Sequence, residues 1–93
     1  MIRKMDKKIL IIIPAFNEEK NILNVCNSIY DYNKNHKSNY DIIVINDGSS
    51  DNTEQVLIDN KIPHVKLIRN LGIGGAVQTG YKYALYNNYD IAI

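Results

Sequence analysis

Pro14-Ala15-Phe16-Asn17-Glu18 and Asn46-Asp47-Gly48-Ser49-Ser50-Asp51 hold the side chains best suited to chemistry in this chain, and each follows an unbroken apolar run. A carboxylate such as Asp47 accepts hydrogen bonds from a base N–H or from ribose hydroxyls, and Glu18 and Asn17 offer further polar contacts. Phe16 adds an apolar ring, and Pro14 stiffens the exit from the run. Each residue also has a local role open to it. Asp47 suits a turn that caps the next helix, Asn17 suits a helix cap, and Phe16 suits a core. Two such turns side by side favour binding, because open parallel sheets take nucleotides at the carboxyl ends of their strands.

The elements that must position these residues follow from the apolar pattern. Residues 9–13 and 42–45 are continuous apolar runs too short for helices, so 8–13 and 41–46 read as parallel strands buried on both faces. Asn17 is expected to cap a first helix with Glu18 and Glu19 in its first turn, and Ile22, Val25, Cys26 and Ile29 form its buried face. Residues 33–39 read as the loop that ends it. Asp51 and Glu54 have capping-box spacing before a short helix that includes Val56, Leu57 and Ile58 and stops near Asn60. A third strand is expected over 65–68, a glycine-rich turn over 70–75, and a third helix with Ala76, Val77, Gly80 and Ala84 on one face. Residues 90–93 begin a fourth strand. The order β-α-β-α-β-α-β predicts an α/β fold, a parallel Rossmann-like sheet with helices on both faces.

Composition narrows the classes. The chain has 93 residues, 45% of them apolar, which suits one small domain with residues 1–7 as a flexible lead-in. Eleven basic residues face 10 acidic ones, for a net charge of +1, which gives no footprint for nucleic acid or an anionic membrane. The apolar run before Pro14 is too short for a signal peptide or a membrane span. One cysteine, Cys26, excludes an intrachain disulfide and suits a cytoplasmic setting. His36 and His64 have no partner at metal-ligand spacing. Gly72-Ile73-Gly74-Gly75 does not match a dinucleotide fingerprint, since Val77 stands where the last glycine belongs and the run follows the third strand. No Gly-Lys-Ser/Thr follows it either. Arg69 and Asn70, at the end of the third strand, are placed to reach a phosphate or a sugar.

Three strings taken in order, residues 11–19, 43–53 and 69–80, resemble the N-terminal half of a family 2 glycosyltransferase of GT-A fold, in the group of dolichyl-phosphate mannose synthase-like and polyprenyl-phosphate sugar synthase-like enzymes. The resemblance implies that Pro14, Phe16 and Glu18, with Ala15 and Asn17 between them, cradle the base and ribose of a nucleotide-diphospho-sugar. It implies that Asp47 contacts the base, and that Asn70, Gly72 and Gly75 lie near the diphosphate. The family often has Tyr at the position of Phe16 and Asp at that of Asn46.

The family's next motif, an Asp-x-Asp that holds Mn²⁺ or Mg²⁺, is expected after the fourth strand. Its ligands and the catalytic base are therefore expected outside these 93 residues, and Asp90, at the opposite rim, is not assigned to metal. The expectation is a donor-binding region for inverting sugar transfer to an acceptor hydroxyl, inactive by itself. Any membrane association is left to a C-terminal part. A truncated sheet should self-associate through the fourth strand or the third helix. The alternative is a non-catalytic nucleotide-binding or scaffold module.

Overall fold

A computed structural model describes residues 7–93. The expected lead-in over 1–7 lies outside the described residues except for Lys7, which is exposed. The elements are β1 (Ile9–Ala15), α1 (Ile22–His36), β2 (Asp41–Asn46), α2 (Thr53–Asp59), β3 (His64–Lys66), α3 (Gly72–Tyr86) and β4 (Ile91–Ala92). All pairings are parallel, in the order β3-β2-β1-β4.

β2 is buried on both faces because helices cover both, whereas β1 is fully buried only at Leu10 and Ile12 on the α3 face and at Ala15 on the other, where Ile11 and Ile13 stay half-buried. Ile42 and Val44 pack with Ala15, Ile22, Cys26, Leu57 and Ile62 on the α1–α2 side. Ile43 and Ile45, pointing the other way, pack with Leu10, Ile12, Ala76 and Ala84 under α3. The continuous apolar run of β2 is thus two alternating half-cores. The small residues of α3 bring it close to the sheet. A Cβ on Gly80 would collide with the buried Ile12 side chain, which the glycine avoids.

Register decides what stands next to what. β1 and β2 run in step from Leu10↔Asp41 to Ala15↔Asn46. The Asp47 amide then donates to the Ala15 carbonyl (2.8 Å) as the last rung. The loops after Ala15 and Asn46 therefore leave the sheet side by side.

Several local expectations are corrected. β1 continues through Pro14 to Ala15. Ile12 donates its amide to Ile93, on the β4 side (2.9 Å). Pro14, two residues on, has its missing N–H on that same side, away from β2, so the β1–β2 ladder loses no bond to it. Asn17 does not cap α1, which begins only at Ile22, so Glu18 and Glu19 precede it rather than filling its first turn. The cause is the left-handed backbone of Asn17 (φ 54), which turns the chain before the helix can start. Val25 is 43% exposed, and Leu23 joins Ile29 against the core instead. α1 also runs through the expected loop as far as His36, where Lys37 ends it in a left-handed conformation (φ 53).

The capping box does not form. Asp51 accepts from the Thr53 amide (2.9 Å) just outside α2, while Glu54 pairs with Lys66 (3.1 Å). β3 is shorter than expected and ends at Lys66. Gly72 to Gly75 lie in the first turn of α3 rather than in a turn before it. At the opposite rim, Tyr89 donates to Asp41 (2.7 Å), and burial, with that bond, pushes its phenol up to about 12.

Candidate nucleotide-binding site

A cleft of about 320 Å³ opens where β1 and β2 end, lined by Pro14, Ala15, Phe16, Glu18, Asp47 and Ile73. The structure thus brings together five of the residues singled out in the sequence. A second cleft of about 360 Å³, between Ile11, Ser28, Ile29, Tyr32 and Tyr40, has no charged side chain and lies away from the strand ends. The first cleft has the composition of a ligand site, apolar walls with a few placed polar groups.

Asp47 is 3% exposed, and its carboxylate clasps the start of α3. Oδ1 accepts from the Leu71 amide (2.7 Å) and Oδ2 from the Gly72 amide (2.9 Å). The Asn70 side chain donates to the Asp47 carbonyl (3.3 Å). Asp47 is a cap after all, but of α3, not of α2 next to it in sequence. Two consequences follow. The Leu71 and Gly72 amides are already matched to an anion, so these two are not free for a phosphate. Asn70 and Gly72 serve the cleft by closing the clasp and do not line it.

A strap of hydrogen bonds joins the two loops. The amides of Asn17, Glu18 and Glu19 donate in turn to Ser49 Oγ (3.0 Å), Thr53 Oγ1 (2.9 Å) and Asp51 Oδ2 (3.2 Å). In return, Asn17 Oδ1 accepts from the amides of Ser50 (2.8 Å) and Asp51 (3.3 Å). Asn17 is therefore a loop fastener, not a lining residue. Burial raises the Asp51 pKa, but bonds from the Thr53 hydroxyl and amide and from the Glu19 amide outweigh it and hold the carboxyl below its ordinary value. Those bonds are complete at neutral pH and are lost only as acid protonates the group.

Ile73 is the lining residue that sequence reasoning missed. It lies at helical spacing with Ala76, Gly80 and Ala84, which are all buried. Yet Ile73 is 77% exposed, because the strands end before they reach beneath it. Its spacing was the available signal: an apolar residue on the core stripe, one turn beyond the core. Gly75, by contrast, makes room for Leu71, whose Cβ would lie 2.6 Å from a Cβ on Gly75. Among the described residues no cluster of three His, Cys, Asp or Glu side chains is able to hold a metal. With Asp47 engaged by amides, Glu18 stands alone, and the described residues do not fit a divalent cation.

The sequence matches the family described as "Glycosyl transferase family 2" over residues 10–89. It is 41% identical to UDP-N-acetylglucosamine--dolichyl-phosphate N-acetylglucosaminyltransferase of Methanococcus voltae, over 95% of this chain and 40% of that protein. Among solved structures, the fold is similar to a mannosyltransferase of Pyrobaculum calidifontis in complex with GDP-Man and Mn²⁺ (TM-score 0.72, 20% identity, 87% of this chain and 25% of that one). It is also similar to glucosyl-3-phosphoglycerate synthase of Mycobacterium tuberculosis in complex with Mn²⁺ and UDP-glucose (TM-score 0.54, 32% identity, 68% and 22%). The chain spans well under half the length of each. The parallel sheet between helix layers is the GT-A arrangement expected from the sequence, and the chain belongs to glycosyl transferase family 2.

Proposed function

We propose that this cleft binds the nucleoside end of a nucleotide-diphospho-sugar, as the donor-binding region of a glycosyltransferase. The observation that carries the reading is the cleft's composition. Its walls are the Phe16 ring and Ile73, and its ionisable lining groups are the carboxylates of Glu18 and Asp47, with no cation. Such a pocket repels a phosphate and suits an uncharged planar ring with N–H and hydroxyl donors. The diphosphate is then directed outward, past Asn70 and Gly72. Sugar transfer with inversion follows the family resemblance. The name of the M. voltae relative supports a lipid-linked phosphate as acceptor in place of the hydroxyl expected from the sequence. In this reading the 93 residues form one donor-binding unit that does not transfer sugar alone, with divalent-cation ligands and base supplied from elsewhere. The buried free thiol of Cys26 supports a reducing, cytoplasmic setting, and no described helix is long and apolar enough to cross a membrane.

Titration with UDP and GDP, followed by amide NMR shifts, tests the donor reading. Shifts are expected at Ala15 to Glu18, at Asp47 and at Leu71 to Ile73. Ile73→Ser should weaken binding about fivefold without loss of stability, since its side chain is exposed. No shift at millimolar nucleotide overturns the reading.

We also propose that the 93-residue chain self-associates through β4. Ile91 and Ile93 are 40% and 66% exposed beside this short outer strand, and such edges pair. Light scattering should show a dimer or larger species, lost in Ile93→Lys. A monomer at high concentration removes the proposal.

A further inference from the structure

We infer that Thr53 and Asp51 are positioning residues for the cleft, acting through the backbone of the Asn17–Glu19 turn. The inference rests on the donor-binding reading and deepens it by naming what holds the binding residues in place. The β-ladder between β1 and β2 ends at the bond from the Asp47 amide to Ala15. Beyond that rung Phe16 and Glu18 have no sheet to hold them, yet both line the cleft.

What replaces the ladder is a set of side chains. Three successive amides, of residues 17, 18 and 19, each donate to a side-chain oxygen of the facing loop or of Thr53, the first residue of α2. Side chains here do the work that a backbone ladder does elsewhere. Thr53 is at the centre. It is fully buried, and its hydroxyl accepts from the Glu18 amide and donates to Asp51 Oδ1. Asp51 uses its other oxygen for the Glu19 amide. The left-handed backbone of Asn17, disfavoured for a residue with a Cβ, is held by bonds to Ser49, Ser50 and Asp51. The Glu18 side chain is thereby aimed by a hydroxyl and a carboxylate that do not line the cleft.

Thr53→Val keeps the shape of the side chain and removes the acceptor, and Thr53→Ser keeps the hydroxyl. In the 93-residue chain, Thr53→Val should speed hydrogen exchange at the Glu18 amide and leave the Asp47 amide protected. It should weaken binding of UDP or GDP, whichever the wild type binds more tightly, by about tenfold. Thr53→Ser should return to within about threefold of wild type.

Leu57→Ala is the control for general destabilisation. Leu57 is fully buried on the same helix and does not touch the cleft, so its loss should lower stability and leave the affinity of the folded protein unchanged. Unchanged affinity in Thr53→Val, or an equal loss in Leu57→Ala, overturns the inference. A wild type that protects the Glu18 amide but binds neither nucleotide overturns the donor reading and this inference with it, whereas normal wild-type binding unaffected by Thr53→Val overturns the inference alone.

Discussion

Gly48→Ala is expected to destabilise the protein by roughly 3 kcal/mol, among the larger losses open to a single methyl group. Gly48 has a φ of +70, and a Cβ there would lie 2.5 Å from the backbone carbon of Arg69 and the backbone nitrogen of Asn70. Neither atom belongs to a side chain that is free to swing away. Relief requires moving the chain that leads into α3, which pulls Leu71 and Gly72 off the Asp47 carboxylate. Gly72 supplies the internal comparison. Its φ is +83, but a Cβ would meet nothing within 4 Å. Gly72→Ala should therefore cost only the conformational term, about 1 kcal/mol. Urea denaturation of the two variants separates strain from collision. Equal losses at both positions would show that the approach of Arg69 and Asn70 to Gly48 is not what demands the glycine.

Asp47→Ala is expected to cost roughly 3 kcal/mol and to abolish nucleotide binding. The carboxylate is buried and each oxygen accepts from a backbone amide, so its removal strands two donors at the start of α3. Asp47→Asn should cost less, about 2 kcal/mol, because one amide keeps an acceptor while the other faces the new NH₂ group. Denaturation curves for both variants and an NMR titration of Asp47→Asn with UDP and GDP test this. Wild-type stability in Asp47→Ala would mean that the clasp contributes nothing to the fold. A stable Asp47→Ala that has lost only binding would identify Asp47 as a ligand contact and not as the clasp on α3.

These two residues show how the amino-acid sequence and the tertiary structure divide the information. An acidic residue after a buried strand reads as a turn, a cap or a ligand contact, and Asp47 is legible to that extent. That it caps α3, 25 residues further on at Gly72, is not a local property. It depends on β3 lying beside β2, which brings the start of α3 over the end of the second strand. Asn17 shows the same limit. Its helix-capping chemistry is real, but the amides it accepts from belong to Ser50 and Asp51. Asp51 has the spacing of half a capping box, and its carboxylate bridges Thr53 and Glu19 instead. In each case the side chain's chemistry was legible and its partner was not, because the partner comes from a loop that only strand pairing brings near.

Element order, the parallel α/β class and the strand ends as the place to look for a cleft are readable from the amino-acid order alone. Those follow from hydrophobic periodicity and from the residues at each strand exit, which act over a few positions along the chain. Which polar residues line the cleft, which fasten the loops, and the place of Ile73 in the lining depend on the folded arrangement. A buried amide takes whatever oxygen the register of β1 on β2 places within about 3 Å, and an apolar residue on a core stripe is buried only where the sheet reaches beneath it.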